Sequence, residues 1–293
     1  MLSIDEFQSV TLEDKPIFDN YYEKYPPPHS DYVFTTLISW IEYANYKFTQ
    51  LNDNLIIMTD QKNIRRFRPP IGKYNKEIFD QILELAKKES SDYPLEVIDT
   101  KTKDWILQHY PKLELSQNRD YFDYVYTSSD LAELPGSNYR KIRNRLNKFI
   151  KNYDYTIENI SEENMDEIKK FLKRWCLWKD CESDPLLENE KKAILFSMGH
   201  FFELKLSGIV LRINGNIEAI AVYEMMSSDM VVVHYEKGSP DFDGVYKAIN
   251  AETAKLVQKE VKFINREADM GVPGLRKAKM SYRPHHMVEV YQI

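Results

Sequence analysis

Asn214-Gly215 is the strongest short-range constraint in the chain. The dipeptide suits the two left-handed positions of a type I′ turn, and it stands between two apolar, β-branched runs, residues 209–213 and 217–226. Those runs are expected to pair as an antiparallel hairpin. A third strand is expected at 230–235, followed by the turn Gly238-Ser239-Pro240 and a helix over about 243–258. Phe263-Ile264-Asn265 reads as a strand, 275–279 as a short helix and 286–291 as a last strand. Upstream lie a strand at 155–160, a helix capped by Ser161 with Glu162 and Glu163 in its first turn, and a helix over about 186–206.

The first half uses the same grammar. A helix over 13–24 ends at Tyr25-Pro26-Pro27-Pro28-His29, and a second covers 32–43. Strands at 46–51 and 55–59 flank Asn52-Asp53-Asn54, with a third at 64–68 and the turn Pro69-Pro70-Ile71-Gly72. Ile78, Phe79, Ile82, Leu83, Leu85 and Ala86 then recur at helical spacing. A strand at 95–98, a helix at 103–109 and closing strands at 113–115 and 121–126 complete the half. Ser, Pro and Gly cluster at 127–136. The expected fold class is α/β (α+β), with two tandem lobes at 1–130 and 131–293, each a mixed, mostly antiparallel sheet flanked by helices. Two unrelated α+β domains are the alternative.

At 293 residues and 43% hydrophobic content, each half can bury a core. The net charge of −6 excludes a molecule that binds nucleic acid over its whole surface, so such contact needs a local basic patch. Only 9 Gly occur, which limits phosphate-cradling loops. The acidic N-terminal segment Met1–Phe7 reads as neither signal nor anchor. No run of about 18 apolar residues is present, so no integral membrane contact is expected. Cys176 and Cys181 fit no zinc spacing, no metal site is expected, and both are read as reduced thiols of a cytoplasmic protein.

The order of elements resembles the GNAT acyltransferase fold, and the motifs sharpen the match. Leu134-Pro135-Gly136, Arg140–Arg145, His234-Tyr235-Glu236-Lys237, Gly244–Asn250, Phe263–Gly271 and Gly274–Pro284 together resemble an uncharacterised family related to the C-terminal domain of phosphatidylglycerol lysyltransferases. The resemblance is strong in the second half and mainly architectural in the first. It implies tandem GNAT-like lobes and kinship with enzymes that move an aminoacyl group from aminoacyl-tRNA. Those lysyltransferases carry a membrane-spanning N-terminal region; none is expected from this sequence, and a lipid acceptor is therefore not the expected one. Ala268 stands where an acid is expected between Glu267 and Asp269.

Acyl transfer to an amine requires a proton acceptor, stabilisation of the carbonyl oxygen and alignment of two substrates. His234 and Glu236 alternate on one strand, so period two puts them on one face, each as a base or as part of a structural pair. Glu267 and Asp269 complete the candidate catalytic set. Asn265-Arg266-Glu267-Ala268-Asp269 abuts a core strand, where charge must be paired or used, and Arg266 and Glu267 are expected to face opposite ways if the strand continues. Asn250, Asn265, Arg266, Arg276, Lys279 and Tyr282 are candidate substrate-binding residues. Arg276, Lys277, Lys279 and Arg283 form a basic cluster that reads either as an anion site or as a solvated helix face. Arg140, Lys141, Arg143, Arg145 and Lys148, with Lys151, decorate one amphipathic helix that reads either as a tRNA-backbone patch or as a solvated face.

No bound cofactor is required, and aminoacyl-tRNA is the expected co-substrate. Acetyl-CoA or another acyl-CoA is the alternative donor, and a catalytically inactive GNAT-like binding protein is a second alternative. Pro240 lacks an N–H, and Asp241 and Asp243 put negative charge where a pyrophosphate would sit. In the first half, Arg65–Lys73 is a weaker phosphate candidate. The expected partners are tRNA and a small-molecule or peptide amine acceptor.

Overall fold

The computed structural model describes residues 1–89, 94–181 and 184–293, and the chain passes more than once between two units. The first comprises Met1–Asp123, Ala268–Gly271 and Val288–Ile293; the second comprises Tyr124–Glu267 and Val272–Met287.

In the first unit, β1 (Gln8–Ser9), β2 (Tyr46–Leu51), β3 (Asn54–Gln61) and β4 (Ile64–Phe67) form an antiparallel sheet in that order. Helix α1 (Lys15–Lys24) forms as expected. The helix expected over 32–43 is instead divided into α2 (Phe34–Ser39) and α3 (Ile41–Ala44), because Trp40 leaves helical geometry at φ −98°, ψ 15°. Helix α4 (Lys76–Glu89) buries Ile78, Phe79, Ile82, Leu83, Leu85 and Ala86 in a core with Ile56, Met58, Phe67 and Leu95. Phe67 bridges Leu95 in parallel, so the strand expected at 95–98 is reduced to this bridge and to β5 (Ile98–Asp99). Asp99 caps α5 (Thr100–His109) by accepting from the N–H groups of Lys101 and Thr102. No strand forms at 113–115; β6 (Ser116–Gln117) does, and it and β5 flank Val290–Gln292.

The second unit holds β7 (Asp123–Thr127), α6 (Ser128–Glu133), α7 (Arg140–Asn152), β8 (Tyr155–Asn159), α8 (Met165–Lys179), α9 (Pro185–Gly199), β9 (Ser207–Ile213), β10 (Asn216–Ser227), β11 (Met230–Gly238), α10 (Val245–Val257), β12 (Phe263–Asn265), α11 (Pro273–Ser281) and β13 (His286–Val288). Its sheet runs β13-β7-β12-β11-β10-β9-β8. Asn214 (φ 51°) and Gly215 (φ 80°) make the expected left-handed turn between β9 and β10. The helix expected to reach residue 206 stops at Gly199. Strand β7, read from sequence as closing the first half, pairs here with β12 through Ile264↔Tyr126. The last strand expected at 286–291 is two, β13 in this sheet and β14 (Val290–Gln292) in the first unit.

Gly244 (φ +98°) opens α10 in a conformation few side chains tolerate. A Cβ there would lie 3.1 Å from the Arg145 carbonyl and 3.0 Å from Phe149 Cβ, so glycine lets α7 and α10 close together. Cys176 and Cys181 are joined in a disulfide, which corrects the expectation of two reduced thiols. Their Cα atoms are 5.3 Å apart, because the chain turns at Asp180 (φ 52°) and brings Cys181 back to the end of α8. Among the described residues, no helix is long and apolar enough to cross a membrane.

Candidate functional site

Strands β11 and β12 run parallel over three residue pairs only, ending at Val232↔Asn265. Beyond that pair no register joins them, and charged side chains fill the opening. Register also slips between β10 and β11: Val222 opposes Tyr235, but Tyr223 opposes Val233, leaving His234 in a bulge. Glu236 therefore opposes Ala221 and meets Asn250 of α10, on the face that carries Val231 and Val233. The period-two expectation that His234 and Glu236 share a face fails at this bulge, because one extra residue exchanges the faces of everything after it.

His234 bonds Glu267 Oε1 through Nδ1 at 2.8 Å and Glu224 Oε1 through Nε2 at 2.8 Å. Burial disfavours the imidazolium, but the hydrogen bonds and charges of the two glutamates outweigh it and push the histidine up to about 10. At neutral pH, His234 is thus a cation locked between two carboxylates. Glu267 takes φ 55°, a left-handed backbone that turns its side chain back to His234. Three hydrogen bonds hold this turn: Asn265 Oδ1 accepts the Glu267 N–H at 2.7 Å, and buried Lys279 donates to the carbonyls of Arg266 (2.5 Å) and Glu267 (3.0 Å).

On the α10 face, Glu236 is held by two donors. Asn250 Nδ2 reaches its Oε1 at 3.1 Å, and Arg266 Nη2 reaches its Oε2. The strand stops at Asn265, and Arg266 and Glu267 serve different partners because the chain turns at Glu267. The Arg266 guanidinium lies 5.2 Å from the Tyr282 ring centroid and 5.9 Å from that of Tyr126. Tyr126 donates to the Lys279 carbonyl, and Tyr139 to the Tyr282 carbonyl, which fixes both ends of this aromatic wall. Two buried atoms of this cluster, Arg266 Nη1 and Asn250 Oδ1, have no hydrogen-bond partner among the described residues. Such groups are costly unless something else meets them.

Lys247, three residues before Asn250 on α10, was not singled out from sequence. Its Nζ lies 4.6 Å from the Tyr282 centroid. Burial first, then the like charge of Arg266, lower its ammonium to about 8, against the attraction of Glu236. The available signal was its i, i+3 spacing from Asn250, which puts both on one helix face.

The other candidates fall elsewhere. Asp269 belongs to the first unit, where Arg119 Nη1 (3.2 Å) and the Gly271 N–H (3.0 Å) hold its carboxylate. Arg276 is half-buried on α11, and Lys277 is exposed there. On α7, Arg143 donates to the carbonyls of Leu134 and Gly136, while Arg145 and Lys148 both reach Asp243, at 2.9 and 3.3 Å. Asp243 is therefore neutralised. Exposed Arg140, Lys141 and Lys151 have no side-chain partner among the described residues. In the 238–244 turn, the Ser239 N–H is spent on the Glu218 carbonyl (2.8 Å) and that of Asp241 on Ser239 Oγ (3.3 Å). No group of three or more metal-ligating side chains occurs among the described residues.

The chain is similar over 98% of its length to a crystal structure of a conserved protein of unknown function from Bacteroides thetaiotaomicron, at 29% identity, 98% coverage of that chain and a TM-score of 0.90. It is similar over 96% of its length to the C-terminal domain of a putative lysylphosphatidylglycerol synthetase from Agrobacterium fabrum (13% identity, 91% of that chain, TM-score 0.65). A tandem GNAT protein from the clavulanic acid biosynthesis pathway matches 98% of both chains at 8% identity and a TM-score of 0.51. The fold is thus a mixed α/β, GNAT-like one. The model of the family described as phosphatidylglycerol lysyltransferase, C-terminal, matches residues 22–293, and the chain belongs to that family.

Proposed function

We propose that the protein transfers an aminoacyl group from aminoacyl-tRNA to an amine or hydroxyl acceptor, at the opening between β11 and β12. The observation that carries this reading is the pairing of an unpartnered, buried Arg266 Nη1 with a lysine of lowered pKa beside the same tyrosine ring. The acceptor attacks the ester carbonyl, its new bond to carbon forms, and the carbon–oxygen bond to the ribose breaks. The acceptor's proton ends on the ribose hydroxyl. Neutral Lys247 takes that proton and becomes an ammonium as charge develops on the carbonyl oxygen, then passes it to the leaving oxygen. Arg266 Nη1 donates to the oxyanion. A group with a pKa near working pH suits this role, whereas His234, held as a cation, acts as a positioning residue for Glu267. Glu236 orients Arg266 and Asn250.

Family membership supports aminoacyl chemistry. A tRNA donor is favoured over acyl-CoA because Pro240 and the spent N–H groups of Ser239 and Asp241 leave little for a pyrophosphate. Arg140, Lys141 and Lys151 offer three cations to a nucleic-acid backbone. Similarity to a tandem GNAT protein supports reading the lobes as two copies of one unit. In both units an antiparallel three-strand meander (β2-β3-β4; β9-β10-β11) leads through a helix (α4; α10) to a parallel partner.

The test supplies labelled aminoacyl-tRNAs and labelled acetyl-CoA in parallel, each with a pool of small amines, peptides and lipids. Protein-dependent movement of label from tRNA alone is expected. Transfer from acetyl-CoA alone would replace this reading with acyl-CoA chemistry.

A further inference from the structure

The first unit repeats the strand opening with its charges exchanged. In the second unit, Glu236 on β11 meets Arg266 just beyond β12. In the first, Phe67 bridges Leu95 in parallel, and the residues that follow are Arg68 and Glu96. Arg68 is only 2% exposed. Its Nε and Nη2 both donate to Asp31 Oδ2, the former at 2.9 Å. Its guanidinium lies 5.0 Å from the Tyr46 ring centroid, and the Tyr46 hydroxyl donates to Asp31 Oδ1 at 3.1 Å. Arg68 Nη1 is buried and has no partner among the described residues.

Glu96 stands within electrostatic reach of Arg68. Its nearest cation contact is Arg66 Nε at 3.7 Å, beyond hydrogen-bond range. Burial raises its carboxyl, with Asp31 acting the same way and Arg68 and Arg66 opposing. Its side chain is 21% exposed. Half-exposed Tyr121, within reach of Glu96, Asp31, Tyr43 and Arg66, marks the side open to solvent.

We propose that Arg68 and Glu96 form a second binding site, which takes a carboxylate group of a small molecule or peptide. Asp31 already balances the charge of Arg68, so the site calls for one acceptor oxygen on Nη1 rather than for a dianion. A phosphate would bring two charges close to Asp31, which already holds Arg68. A carboxylate places one oxygen on Nη1; binding draws one proton from solvent onto Glu96, which donates it to the other oxygen, so that both buried groups are satisfied. No bond is made or broken. The site does not depend on which acyl donor serves the second unit.

The experiment titrates the full-length chain with carbon-13 acetate, with N-acetylglycylglycine and with methyl phosphate, followed by NMR. Saturable binding of acetate or of the peptide, and weaker binding of methyl phosphate, is expected. A free acid and a peptide C-terminus share this chemistry, and the tighter of the first two probes identifies the source. Glu96→Leu should weaken binding by roughly tenfold and Glu96→Gln, which keeps a donor, by much less. Arg68→Lys should weaken it at least as much as Glu96→Leu; should it not fold, the Glu96 pair decides. The proposal is overturned by no saturable binding, by tighter binding of methyl phosphate, or by Glu96→Leu matching the parent.

Discussion

Lys247 Nζ stands 4.6 Å from the centroid of the Tyr282 ring, and no carboxylate forms an ion pair with it among the described residues. The ring face partly replaces water for the ammonium, but the charge of Arg266 opposes it.

This arrangement predicts a lysine that titrates near 8. The folded value lies below the ordinary 10.5, so the charged form costs stability below about 8, and stability recovers as pH rises from 8 towards 10.5. Lys247→Met should therefore melt higher than the parent at pH 7, with the gain shrinking to nothing near the upper end of that window. A Met variant that melts lower at pH 7 would show that the ammonium is well accommodated.

His234 predicts the opposite slope. Its folded value of about 10 exceeds the ordinary 6.5, so its contribution is fully present below 6.5 and is lost as pH rises through 10. The imidazole carbon signals should move with a midpoint near 10, and His234→Gln should destabilise more at pH 6 than at pH 10.5. A midpoint near 6.5 would remove the locked cation.

On α7 the two sets of cations should separate. Replacing Arg140, Lys141 and Lys151 with Gln should flatten the log–log salt dependence of tRNA affinity by up to roughly two to three units, at about 0.7 to 0.9 per lost phosphate contact. Replacing Arg145 and Lys148, which already hold Asp243, should change the slope less. Equal effects from both sets would mean that the Asp243 pairs open on binding.

The Cys176–Cys181 bridge closes a short loop, so Cys176→Ser should cost about 2 kcal/mol in the chain-entropy account, read from denaturant midpoints. A thiol reagent should find no free sulfhydryl in the native chain, and two reactive thiols would contradict the bridge.

What could be read from the sequence was what short-range chemistry encodes. Asn214-Gly215 forced its hairpin, and Ile78 to Ala86 spelled out the buried face of α4. The bulge at His234 was hidden, because neither Val222 nor Tyr235 signals a slipped register. The destinations of β7 and β14 were hidden too: strands of five and three residues carry no local mark of which sheet they join. Arg266 and Glu236 were visible as charges beside core strands, but not their union. Lys247 was missed because its titration depends on Arg266, which is distant in sequence. The disulfide escaped because the turn at Asp180 is what makes its geometry.

The central claim is that Lys247 handles the proton in aminoacyl transfer. Its most direct test is the pH dependence of single-turnover transfer from labelled aminoacyl-tRNA, for the parent chain and Lys247→Met. The parent rate should rise with an apparent pKa near 8, and Lys247→Met should lose this step and about a hundredfold in rate with little change in tRNA affinity. An unchanged rate and profile in Lys247→Met would contradict the account.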